Sequence, residues 1–106
     1  MAQYDVYPNP NARSRGTFPY LVDIQSGLLE RLRTRLTIPL SRLGADLSDE
    51  LPRRLAPRFV VADERLQLLA HLAAVIEARH LRERVASLAG NAHEIVDALD
   101  AVVSGV

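Results

Sequence analysis

The sequence predicts an α+β fold, with antiparallel strands in its N-terminal half and a helix at its C-terminal end. Three observations carry this. In residues 31–40, Leu32, Thr34, Leu36, Ile38 and Leu40 fall on one parity, and Arg31, Arg33, Arg35, Thr37 and Pro39 on the other. That is the period-two pattern of a strand with one buried and one wet face. An extended run at residues 20–25 precedes it across Ser26-Gly27, and so short a connection makes the two runs antiparallel neighbours. Residues 91–105 carry the start signal, periodicity and stop signal of a helix.

Taken in order, residues 4–7 alternate Tyr4 and Val6 against Asp5 and Tyr7 and read as a first strand. Pro8-Asn9-Pro10-Asn11 ends it, because closely spaced prolines impose turn geometry. Residues 9–16 read as a mobile polar loop bearing Arg13 and Arg15, and residues 17–25 resume extended structure. Pro39 cannot donate to a ladder, so it is expected at a strand end or edge. Residues 41–48 are a connection with room for a short edge strand. Residues 57–62 are β-rich around Phe59-Val60-Val61, and residues 62–65 look like a tight turn.

Residues 64–89 admit two readings. Their Ala, Leu, Glu and Arg favour a long helix over 64–88. Leu66, Leu68, Ala70 and Leu72 also alternate with Arg65, Gln67 and His71, which suits a strand paired across the Asp63 turn with residues 59–61. Further on, Gly90-Asn91 stops the preceding element. Asn91 with Glu94 three residues later has the form of a capping box. Ile95, Val96, Leu99, Val102 and Val103 make the apolar face, His93, Glu94, Asp97 and Asp100 the polar one. Gly105 is placed to terminate the helix, and Asp100 sits at the unfavourable end of its dipole.

With 106 residues, residues 1–106 are expected to form a single domain with a modest core, a size at which dimerisation can complete the burial. Formal net charge is zero, so no global basic field attracts nucleic acid. Residues 1–58 nevertheless carry nine Arg against six acids, and residues 59–106 four Arg against seven acids. All thirteen cations are Arg, as codon bias in a GC-rich genome produces. The absence of Cys excludes disulfides, thiolate nucleophiles and Cys-based zinc sites. No run approaches the roughly 20 apolar residues of a membrane span, and the N-terminus has no signal-peptide pattern. A cytoplasmic protein without a cofactor is the expectation.

His71, His80 and His93 have no compact metal-ligand spacing, so no metal site is expected. No nucleophile elbow, phosphate-binding glycine loop or paired-carboxylate motif is present, and nothing favours a triad of Ser26, His71 and Asp23; no catalytic residue is assigned. Arg31, Arg33 and Arg35, with Arg13 and Arg15, suit a phosphate backbone. The preferred reading of the same row is a solvated face that discourages edge aggregation.

The chain resembles the CcdB family of toxin–antitoxin toxins. The resemblance rests on Gln3-Tyr4-x-Val6-Tyr7, on Leu21-Val22-Asp23-Ile24-Gln25-Ser26, on Leu28-Leu29 and on Ile38-Pro39-Leu40. Arg54-Leu55-x-Pro57, Ala62-Asp63-Glu64 and the closing Gly105-Val106 extend it. It implies an SH3-like antiparallel β-barrel with a small side sheet and a C-terminal α-helix, and it selects the strand reading for residues 65–72. It implies a homodimer that binds the DNA gyrase A subunit and inhibits the topoisomerase without chemistry of its own. It also implies a cognate antitoxin that releases gyrase, with no direct nucleic-acid binding and no membrane. The gyrase-binding positions carried over are Leu28, Leu29, Asp100, Ser104, Gly105 and Val106. Two depart from the family pattern. Ser104 stands where the family has a tryptophan, in a chain without Trp, and Asp100 stands where it has an asparagine. Two other expectations share the barrel: a ribonuclease like the MazF toxins, with the Arg row holding the strand, and a dimeric scaffold that has lost gyrase poisoning.

Overall fold

The computed structural model describes residues 1–44 and 51–105. Its strands are β1 (Asp5–Pro8), β2 (Tyr20–Asp23), β3 (Thr34–Arg42), β4 (Arg58–Val61), β5 (Glu64–Leu68), β6 (Ala74–Glu77) and β7 (Ala86–Ser87), followed by helix α1 (Ala92–Ser104). All pairings are antiparallel, in the order β4-β5-β3-β2-β1-β7, with β6 branching from the N-terminal half of β3. The sheet coils into a nearly closed, SH3-like barrel with α1 against it. Its core stacks Val6, Val22 and Ile38 in one register row, then Leu40, Leu68, Leu66 and Phe59. Ile95 and Ala98 of α1 complete it.

β3 organises the rest, because it alone pairs with three strands. On one side it holds β2. On the other it holds β6 through Thr34–Thr37 and β5 through Leu40–Arg42. Pro39 therefore lies within the strand, where an end or edge position was expected. Its carbonyl accepts from Leu69 N–H at 3.1 Å, so its missing donor faces the gap between β6 and β5, where no ladder bond is lost.

The period-two expectation fails along most of β3. Ile38 and Leu40 are buried as expected, but so are Arg35, Thr37, Pro39 and Ser41 on the other parity. Leu32 and Leu36 are instead 51% and 36% exposed. Both faces of the central strand are covered along its middle, and Leu36 lies past the end of the core. Arg31 and Arg33 precede the strand and are exposed, so the three arginines do not form one wet row.

Residues 64–89 are not a long helix. β4 and β5 form the hairpin with Val61 opposite Glu64, leaving a two-residue turn in which Ala62 (φ 51°) and Asp63 (φ 64°) are both left-handed. That is the turn whose twist matches paired strands. Ala70–Leu72 form a 3-10 turn, then β6 and β7 follow with a second 3-10 turn between them at Ala78–His80. The expected edge strand in 41–48 falls partly outside the described residues; β3 itself runs on to Arg42.

The helix ends as expected, with Gly105 at φ 70° and its N–H on the Ala101 carbonyl at 3.0 Å. Its start differs. A 3-10 turn, Ala89–Asn91, runs directly into α1, and Asn91 makes no side-chain cap. Its amide instead donates to Glu94 at 3.2 Å. The buried stripe is Ile95, Ala98 and Ala101, whereas Val96, Val102 and Val103 are exposed at 42%, 39% and 85%. Small residues let the helix sit close to the barrel, and that rotates the valines outward.

Candidate functional site

The resemblance singles out two surfaces, and the geometry of each follows from its neighbours. The first is the loop after β2. Gly27–Leu29 form a single 3-10 turn capped by Ser26, whose Oγ accepts from Leu28 N–H at 3.1 Å. Leu28 is 94% and Leu29 49% exposed. The adjacent Leu28 and Leu29 side chains offer apolar area that a partner would gain by covering.

Beneath that turn lies a buried polar assembly. Arg35 and Asp23 are 3% and 0% exposed. Arg35 donates from Nε at 2.8 Å and Nη2 at 2.7 Å to Asp23 Oδ2, while Oδ1 accepts from Gln25 N–H at 3.0 Å. Gln25 then bridges outward. Its Oε1 accepts from Leu36 N–H and its Nε2 donates to the Leu29 carbonyl, both at 2.9 Å. Gln3 donates to the Ile24 carbonyl at 3.1 Å. The turn is thus bolted to β3 by one glutamine and one ion pair. Asp23 has both oxygens occupied, and Ser26 Oγ serves its own turn, so neither is disposed as part of a triad.

Tyr4 adds backbone strain beside this assembly. Its φ of 73° is unfavourable for an aromatic residue. It is held there from both ends, by its N–H on the Asp23 carbonyl and its carbonyl on Leu88 N–H at 2.8 Å. Next to it, Tyr7 is buried and donates to Asp5 Oδ2 at 3.4 Å. Burial, and after it the charges of Asp5 and Asp23, raise the Tyr7 phenol above its ordinary value.

The second surface is the end of α1. Asp100, Ser104 and Gly105 are all exposed, and Val103 beside them presents an apolar side chain to water. Ser104 Oγ folds back to the Asp100 carbonyl at 2.6 Å. A hollow of about 250 Å³ adjoins this end, lined by Pro52, Leu55, Ala101 and Gly105 among others. Val106 lies outside the described residues. The Leu28 turn lines a hollow of its own, formed by residues 27–32, apart from the one at the helix end.

A family model described as CcdB protein matches residues 3–105. The chain belongs to the CcdB family. The CcdB match covers every element described above, and it makes this chain a toxin of a toxin–antitoxin pair. Among curated proteins, none matches the chain. No helix among the described residues is long and apolar enough to cross a membrane, and no three described His, Asp or Glu residues group as metal ligands.

Sequence reasoning found the Leu28-Leu29 pair but missed its support. The signal was available in Asp23 and Gln25, two polar residues spaced by two in an otherwise apolar strand, with Arg35 on the neighbouring strand. Grouping Arg35 with Arg31 and Arg33 as one face, solvated or phosphate-binding, hid this; its burial against Asp23 removes it from either role.

Proposed function

We propose that this single-domain CcdB-family toxin acts as a homodimer that binds the DNA gyrase A subunit and inhibits the topoisomerase, and that a cognate antitoxin neutralises it. The observation that carries the reading is Leu28, 94% exposed on a turn that buried side chains hold rigid. A preorganised apolar contact loses little conformational entropy on binding. Leu28 and Leu29 supply one contact. Asp100, Ser104, Gly105 and Val106 supply the other, with Val103 adding the apolar area that Ser104 lacks. The exposed Val96, Val102 and Val103 give a second copy or the target something to cover.

The test is a gyrase assay with purified protein, scoring loss of supercoiling and appearance of cleaved DNA. Wild-type protein is expected to give both. Leu28→Asp is expected to raise the inhibitory concentration at least tenfold, about 1.4 kcal/mol, with unchanged thermal stability. Inactivity of the wild type at micromolar dimer would end the gyrase reading.

A further inference from the structure

On the far side of the Asn9–Phe18 connection lies a cavity of about 400 Å³, lined by Asn9, Pro10, Arg15, His80, Arg82 and Glu83 among others. That volume lies within the range of small-molecule sites. Both walls are built. Asn9, 5% exposed, donates from Nδ2 to Ser14 Oγ at 2.9 Å and to the Phe18 carbonyl at 2.8 Å. Its Oδ1 accepts from Asn11 N–H at 2.9 Å. The loop expected to be mobile is therefore wound around one buried amide. It fixes Arg15, whose Nε donates to the Asn9 carbonyl at 2.8 Å and whose Nη2 lies 3.4 Å from that of Pro10.

The opposite wall is tied down at three points: Ala78 N–H to the Arg33 carbonyl at 2.8 Å, the buried side chain of Leu81, and Val85 N–H to the Val6 carbonyl at 2.8 Å. Between those ties the exposed side chains of His80 and Arg82 line the cavity, and neither has a hydrogen-bond or ion-pair partner among the described residues.

The geometry points to a binding pocket for a small phosphate monoester, sugar-bearing and nucleotide-like in size, separate from the Leu28 turn and the helix end. Arg15 and Arg82 supply guanidinium forks for phosphate oxygens, and His80 supplies a further donor. Glu83 disfavours a second anionic group at its end and accepts from hydroxyl groups, which selects a ligand anionic at one end only. The Pro8 and Pro10 rings give the body of the ligand an apolar wall.

The test is calorimetric titration of the full chain at low ionic strength with ribose 5-phosphate and, separately, inorganic phosphate, while the His80 ring signals are followed by NMR. Saturable binding of ribose 5-phosphate is expected at least tenfold tighter than inorganic phosphate, with a shift at His80 and not at His71 or His93. Arg82→Gln is expected to weaken it at least tenfold. Arg13→Gln, which removes the same charge from a residue of the Asn9–Phe18 connection that does not line the cavity, is expected to leave it within twofold. Absence of saturation at millimolar ligand would overturn the proposal. So would equal losses in the two variants or equal affinity for inorganic phosphate, which would mean a diffuse charge effect or an anion patch only.

Discussion

Arg35 and Asp23 meet with almost no water around them. Such a pair gains little net stability over an apolar one, but removing one partner strands a buried charge at a cost of about 3–5 kcal/mol. Asp23→Ala and Arg35→Met are each expected to lose about that much in urea denaturation. The double variant is expected to lose clearly less than their sum, since each partner's penalty comes from the other's presence. Tyr7 gives a pH signature. Its folded pKa lies above its unfolded value of 10.0, so the folded state holds the proton longer. Stability is full below pH 10 and falls as pH rises through the interval between the two values. Tyr7→Phe is expected to flatten that alkaline slope in thermal melts between pH 9 and 11 (about one unit either side of the free phenol).

Among the elements, the turn at 26–30 depends on Gln25, which is 7% exposed and has little surface to offer a partner. Gln25→Ala frees the Leu29 carbonyl and Leu36 N–H and loosens the turn. Gyrase inhibition is expected to weaken about fivefold, roughly 1 kcal/mol, through a faster off-rate and not a lost contact. The β4–β5 turn bears on stability alone. Ala62 and Asp63 occupy left-handed positions that cost non-glycine residues about 1 kcal/mol or more. Asn-Gly in their place is expected to raise the melting temperature by about 5 °C. This hairpin also shows what the sequence hides. Helix propensity over 64–88 was strong, and the strand won because Phe59, Leu66 and Leu40 pack in tertiary contact, which no local window contains. The β2–β3 pairing and the Gly105 stop were readable, because turn chemistry is local; the first strand was readable in place but not in its faces, since Asp5, Val6 and Tyr7 are all buried and Tyr4 precedes the strand. Which parity of β3 faced water was not, because both faces are covered by distant parts of the chain. The helix valines misled similarly: periodicity gives a face, but Ala98 and Ala101 set how closely the helix docks.

At the scale of the molecule, the uneven charge of the two halves resolves into specific pairs. Arg42 meets Glu64 at 2.7 Å and Arg84 meets Asp5 at 3.4 Å, each joining the basic half to the acidic one. The first of these pairs is exposed on both sides and adds little stability; its value is in register. Among the described residues, the exposed apolar side chains include Leu28 and Leu29 beyond β2 and Val102 and Val103 at the helix end.

The position of β1 has one more consequence. It is sealed on its outer side only by Ala86–Ser87, eighty residues further on, through Asp5 opposite Ser87 and Val6 opposite Ala86. Long-range closure of this kind makes folding slow relative to helical proteins of equal size. It also means that a growing polypeptide cannot complete the barrel until most of the chain has left the ribosome. The interval between the start of synthesis and a folded toxin is then set by topology, and an antitoxin translated alongside would have that interval in which to be ready.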